Sequence, residues 1–581
     1  MVTEWGHMTG AAAAVDCLRR SGVTRVFGIP AIENTELFAA FQGSPVEMIL
    51  VTHESTAAQM ADAHARVTGE LSACVLTPGP GLTSALSGIA QARLDSSPMI
   101  LLVASGAASY NPGQGMLPPS LDHLAGAPAW CKGVLYPEEP EEVPTTFSRA
   151  ARWAREGEPG PVLLEIPGQV QRAEGRMEGT GFRPGPRALS DAAAHALEKT
   201  SEMIKGARSV GIYAGAGCFE AAGELAEMAE RLQAPVACTV SGLGVLPYIH
   251  KLAVGFGPGP MGSPLCEKAF ARCDLVLAVG CRMSSEIATN CLNPGSNLVH
   301  IDVEPGTGRM RPQPDVIVKA PSKLALRVLL DRLQDKSNPG MRDLIRLEKR
   351  ELRQAIEQRP EWTDVVDPVK FFGFMRELLS SEDVLVLDSG RHAFFGIGCY
   401  PVHAPRTLLA PVDYRTLGFA VPAAVAVKLA QPELRVVGCV GDGGFLLTGM
   451  ELLTARRCNV APVVVVFAEG PMDSISSVPG RVMGRETCFD LVPVNYEDLA
   501  RSLDVGYVRI LRDSELESGL TRALTTEAPV IVEMRVSYRE VAPYLKRARR
   551  VDWQNLPGAV ALRLGSRLVV QQILEGATSA G

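Results

Sequence analysis

The stretch 434–470, LRVVGCVGDGGFLLTGMELLTARRCNVAPVVVVFAEG, decides the fold. It holds two apolar runs with no polar alternation, the pattern of strands buried on both faces of a parallel sheet. A helical pattern lies between them. Each run stops at an acid: the first at Asp442, among Gly441, Gly443 and Gly444, and the second at Glu469, beside a glycine and a proline. In open α/β sheets ligands sit beyond the carboxyl ends of strands, where the connecting loops converge. Glycines there let backbone N–H groups approach phosphate oxygens, and the helix start that follows favours an anion. A carboxylate in such a loop repels a diphosphate unless a hard cation lies between them, and Mg2+ is commonly held by one or two carboxylates plus phosphate oxygens. Asp442 and Glu469 are thus candidate ligands of one Mg2+, with a backbone carbonyl after Glu469 as a third. Taken alone, a GDG turn is equally an ordinary glycine turn that carries an acid.

Working outward, similar runs recur along the whole chain. EMILV, SACVLT, PMILLVAS and PVLLEIP fall in the first third, SVGIYAG, DLVLAVG and NLVHID in the middle, and DVLVLDSG and APVIVEM in the last. Three such sets separated by helical patterns predict three α/β domains with parallel sheets. The Gly/Arg/Pro-rich segment 170–190 reads as a linker, and the charged segment 335–362 as an exposed helix between the middle and last domains. The tail, basic at first and then helix-like, reads as a solvated terminal helix or an active-site lid.

Composition narrows the function classes. With 581 residues, 46% hydrophobic and 21% charged, the chain is long enough for several cores and has no bias toward disorder. A net charge of −7 gives no basic footprint for nucleic acid. No apolar run approaches the roughly 18 residues of a membrane span. The N-terminus lacks the pattern of a signal peptide, and the 13 scattered cysteines have no CxxC or zinc spacing, so reduced thiols and a cytoplasmic location are expected.

The segment GDGGFLLTGMELLTARRCNVAPVVVVF resembles the diphosphate signature of thiamine diphosphate (ThDP) enzymes of the acetolactate synthase type. Gly441, Asp442, Gly443, Phe445, Glu451, Leu452, Thr454 and Ala455 match in an ungapped reading. Ala468 and Glu469 stand where the family carries an asparagine pair, so Glu469 occupies a metal-ligand position. The resemblance implies Asp442, Glu469 and the carbonyl of Pro471 as metal ligands, and Gly443, Gly444 and Met472 as further cofactor contacts. VTHESTAAQMADAHARVTG resembles the block whose glutamate, here Glu54, hydrogen-bonds the aminopyrimidine and controls the C2 proton. The alternative for Glu54 is an acid favoured at a helix start by the dipole. His53 is a second catalytic candidate, and His64 an active-site or core residue. TPGPGLTSALSGIAQARLDSSPMILLV places Thr77, Pro80 and Ser84 at the pyrimidine pocket, and VFGIPAIEN adds Pro30.

The block VLVLDSGRHAFF implies diphosphate contacts from Ser389, Gly390, Arg391 and His392, with His392 also a catalytic candidate. VDYRTLGFAVPAA implies that Leu417, after Thr416, wedges under the cofactor and bends it. The resemblance covers about residues 8–540. It implies a pyrimidine-binding domain over 1–175, a central Rossmann-like domain over 190–340, a diphosphate-binding domain over 365–540, and a tail over 541–581. Acetolactate synthases use the central domain for FAD, whereas GAGCFE has Glu220 at the third glycine of a dinucleotide fingerprint, so an empty central domain is expected. A homodimer or homotetramer with shared sites is implied, as is cleavage or formation of a C–C bond on a small 2-oxo acid. Leu117 and Pro118 replace the Phe-Gln pair of acetolactate synthase. A 2-hydroxyacyl lyase, a flavin-containing relative and a noncatalytic paralogue remain open.

Overall fold

The apolar runs become the strands of three six-stranded sheets in a computed structural model, which describes residues 3–105, 126–179, 188–257, 262–283, 295–305, 313–468 and 492–538. In the first third the strands are β1 (Thr3–Thr9), β2 (Arg25–Gly28), β3 (Glu47–Leu50), β4 (Ser72–Leu76), β5 (Met99–Ser105), β6 (Gly133–Leu135), β7 (Pro161–Pro167) and β8 (Glu174–Gly179). The middle holds β9 (Val210–Ala214), β10 (Val236–Cys238), β11 (Ala253–Phe256), β12 (Leu275–Val279), β13 (Asn297–Asp302) and β14 (Val316–Lys319). The last third holds β15 (Val384–Leu387), β16 (Leu408–Leu409), β17 (Val436–Gly441), β18 (Val463–Ala468), β19 (Gly506–Ile510) and β20 (Val530–Arg535).

The sheets run β3-β2-β4-β5-β7-β6, β11-β10-β9-β12-β13-β14 and β16-β15-β17-β18-β20-β19, and every pairing within them is parallel. Renumbered within each sheet, both outer sheets read 2-1-3-4-6-5, while the central one reads 3-2-1-4-5-6, the doubly wound dinucleotide order. The first and last thirds therefore share one sheet topology. In both, the strand order reverses between the first and third strands, β2/β4 and β15/β17, which opens a crevice at their carboxyl ends.

The outer domains share one core. Helices Glu54–Thr68, Pro80–Leu94 and Ala420–Ala430 meet through small residues, with Ala57, Ala58, Ala61, Ala85, Ala423 and Ala424 fully buried. A Cβ on Gly88 would come within 2.7 Å of the Ala58 Cβ and 2.9 Å of the Ser55 carbonyl oxygen, so glycine sets this close approach.

Two expectations are corrected. Segment 170–190 is not simply a linker: it contains β8, which pairs antiparallel with β1 and buries Met177. Long-range pairing of two polar strands leaves no apolar run to read. The stretch EMILV is not a doubly buried strand either, because β3 lies at the sheet edge with Glu47 and Leu50 exposed. The charged segment does hold an exposed helix, Pro339–Glu357, with only Met341 and Ile345 buried. The described cysteines are free thiols, and among the described residues no helix is long and apolar enough to cross a membrane. Leu117, Pro118 and the tail lie outside the described residues.

Candidate active site

β17 ends at Gly441, and Asp442 opens the helix Asp442–Thr448. Gly444 is packed so tightly that a Cβ would lie 2.9 Å from Val440 Cγ2 and 3.2 Å from Asp388 Oδ2. β17 and β18 run in register from Val437↔Val463 to Gly441↔Phe467, so Asp442 and Ala468 stand at adjoining strand tips. Glu469, Pro471 and Met472 lie outside the described residues. Among the described residues no three His, Cys, Asp or Glu side chains cluster as a metal site.

The neighbouring loop is held by Asp388, which the sequence reading passed over. Its buried carboxylate accepts the N–H groups of Ser389 (2.7 Å), Gly418 (2.9 Å) and Ala420 (3.0 Å). Burial pushes this carboxyl up to about 7, against the backbone donors that favour the charged form. One side chain thus ties the turn carrying Ser389, Gly390 and Arg391 to the turn carrying Leu417. Gly418 at φ +83° completes the second turn, and Leu417 projects from it, 39% exposed, beside buried Thr416. A bulky apolar side chain held out beside the diphosphate loop suits a wedge under a bound ring system. The Arg391 guanidinium lies 5.5 Å from the Tyr538 ring centroid.

His392 sits deeper. Its ring is buried behind Gly390 and stacks on Phe467 at 5.2 Å, and loss of solvent holds it near 4, hence neutral. It is packed beneath the loop rather than open to the crevice. His64 is likewise a core residue, edge-on to Phe27 at 6.1 Å.

In the first domain, β3 leads into the helix Glu54–Thr68, and His53 caps it by accepting the Ser55 N–H at Nδ1 (3.1 Å). His53 is therefore engaged in a cap that its neighbour Glu54 needs. β4 leads to Thr77, Gly79 at φ +64° and Pro80, the first residue of the helix Pro80–Leu94, with Ser84 one turn on. A Cβ on Gly81 would meet Thr77 Oγ1 at 2.0 Å and Glu54 Oε1 at 3.4 Å, so both polar atoms converge on the space this glycine leaves. Pro30 is exposed in the β2 loop, across the same topological crevice.

Glu451 is fully buried, and its Oε1 accepts the Thr52 N–H (2.8 Å) and the hydroxyls of Thr52 and Thr56. A side chain eight residues after Gly443 in the last domain thereby braces the turn that carries Glu54 in the first. The motif match had included Glu451 without giving it a role.

At the carboxyl ends of β9, β10, β12 and β13 a cavity of about 450 Å³ is walled by all three domains. Arg66, Arg282 and Arg406 face Asp95, Glu158 and Asp413 there. Glu220 pairs with Arg406 (3.6 Å), whose guanidinium covers Phe219.

Three parts of one family match the chain in the order of its domains. They are "Thiamine pyrophosphate enzyme, N-terminal TPP binding domain" over residues 8–125, the central domain over 197–329, and the "C-terminal TPP binding domain" over 388–534. Among curated relatives, "Probable 2-ketoarginine decarboxylase AruI" of Pseudomonas aeruginosa is 30% identical, over 91% of this chain and 94% of that protein. "Probable acetolactate synthase large subunit" of Methanocaldococcus jannaschii is 28% identical over 94% of each. "Acetolactate synthase isozyme 3 large subunit" of Escherichia coli is 28% identical over 79% of this chain and 82% of that one. With its three domains matched in order and these relatives aligned along most of their length, the chain belongs to the thiamine pyrophosphate (ThDP) enzyme family, among its acetolactate synthase-like members.

Proposed function

We propose that the protein is a ThDP-dependent carboligase or decarboxylase that acts on a small 2-oxo acid. The observation that carries this reading is the pairing of Glu54 at one crevice with Asp442 at the topologically equivalent crevice of the other outer domain. The residues fit the cofactor: glycines leave backbone room at the β17 tip, Asp442 offers a hard oxygen for Mg2+, and Leu417 offers an apolar surface. Bound there, ThDP supplies a carbon nucleophile for the substrate carbonyl and accepts the electron pair released as a C–C bond breaks. Asp442, with Glu469 and the Pro471 carbonyl, would hold Mg2+. Ser389, Gly390 and Arg391 would reach the diphosphate from the neighbouring turn after β15. Thr77, Pro80, Ser84 and Pro30 would frame the pyrimidine, and Glu54 would hydrogen-bond it and control its proton.

Two copies build the site, with Glu54 of one facing the Asp442 loop of the other. Supporting this, Leu446, Leu447, Met450 and Leu453 stand 50%, 64%, 43% and 42% exposed along the segment after Asp442. We expect the central domain to work without flavin, because Glu220 stands at the third glycine position of a dinucleotide fingerprint.

Calorimetric titration with ThDP, with and without Mg2+, followed by CO2 release from a panel of 2-oxo acids, tests the proposal. Mg2+-dependent binding and turnover are expected. The Ala468–Glu469 pair favours a second reading, a noncatalytic paralogue, and absence of binding under both conditions would leave that one standing. A yellow purified protein would instead favour a flavin-containing relative.

A further inference from the structure

Asn495 caps the helix Tyr496–Leu503, and the first residue of that helix turns its ring inward. Tyr496 is 3% exposed and packs edge-on against Phe445, with centroids 5.5 Å apart and planes at 78°. Its hydroxyl donates to Asp442 Oδ1 at 2.6 Å, a short charge-assisted bond. Phe445 belongs to the same short helix as Asp442, so ring and hydroxyl together grip that helix at two points. A phenol has one proton to give, and here it goes to one carboxylate oxygen. That bond restrains the rotation of the carboxyl plane.

We propose that Tyr496 is a positioning residue for a divalent cation at Asp442, setting the carboxylate orientation before metal and diphosphate arrive. The proposal rests on the reading of Asp442 as a metal ligand. Groups that orient a ligand from behind commonly govern metal affinity by about 10–100-fold.

The test measures metal binding rather than turnover. Mn2+ serves as the probe, and loss of its free-ion electron paramagnetic resonance signal is followed on the full chain with saturating ThDP. Tyr496→Phe keeps the ring on Phe445 and removes only the hydroxyl. It is expected to raise the Mn2+ concentration for half-saturation about tenfold, with little change in the melting temperature of the cofactor-free protein. Tyr496→His, which keeps a ring and an N–H donor, is expected to restore part of that loss. If Tyr496→Phe binds Mn2+ as the parent does, or only melts earlier, the role is packing alone and the proposal falls. Asp442→Asn is run beside it. Unchanged Mn2+ binding in that variant would overturn the ligand reading itself, a failure distinct from that of Tyr496.

Discussion

Glu54 owes its place to its neighbours: His53 caps its helix, Gly81 leaves it room, and Glu451 braces the preceding turn. Replacing it with Gln keeps the volume and removes the proton exchange. Turnover should fall by roughly 10²–10⁴-fold while calorimetry finds ThDP affinity within a few-fold of the parent. His64 supports a prediction about pH. Burial holds it near 4, below the value near 6.5 of an exposed imidazole, so between those pH values the unfolded chain binds a proton that the folded chain refuses. His64 alone therefore makes stability rise with pH across that window. Asp62 and Asp388, both pushed up to about 7 by burial, act in the opposite sense over much of the same range. Changing His64 to Gln should shift the stability difference between pH 7 and pH 5 by about 2 kcal/mol in favour of the acid side, as read by urea unfolding at both pH values. The sequence offered Glu54 as a motif, but it held nothing to separate a buried His392 or His64 from an open one. Burial is decided by which helices meet, and that is a long-range fact. Tyr496 was silent for the same reason: 54 positions part it from Asp442.

The segment from Asp442 to Arg457 is broken into a helix, a 3-10 turn and a second helix. That break turns Glu451 inward while Leu446, Leu447 and Met450 face outward. Changing Glu451 to Ala would strip the acceptor from the Thr52 N–H and hydroxyl, while the Thr56 hydroxyl keeps the His53 carbonyl as acceptor at 2.6 Å. A loss of about 2–4 kcal/mol is expected for buried donors left unpaired, measured by denaturant unfolding, together with slower turnover because the Glu54 turn loosens. At this scale the doubly buried strands were legible as unbroken apolar runs. The exceptions have physical reasons. β8 carries Glu, Gly and Arg because its two-stranded sheet needs few apolar residues, and β3 mixes exposed and buried positions because it closes a sheet edge.

For the whole molecule, the order of three parallel-sheet domains was readable from the sequence and agrees with the family domains matched. The equal strand order of the two outer sheets was visible only as a shared texture, since strand order depends on pairing. A partner copy is not written in one chain's folding pattern at all. The proposed partner copy would cover the exposed leucines, so Leu446→Asp combined with Leu447→Asp should yield a smaller species by light scattering, unchanged far-UV circular dichroism and little turnover. A mutant assembly of parental mass would count against the shared site.

The in-register pairing of β17 with β18 also bears on how this protein can vary. From Val437↔Val463 to Gly441↔Phe467 each rung fixes the next, so the two strand tips stay level whatever the length of the connection between Arg457 and Val463. Insertions in that connection should be tolerated by descendants and by engineers alike. One residue gained inside either strand exchanges its side chains between the two buried faces and moves one tip past the other. The site is thus indifferent to loop length but intolerant of strand length, and natural lineages should display length changes in the former and almost none in the latter.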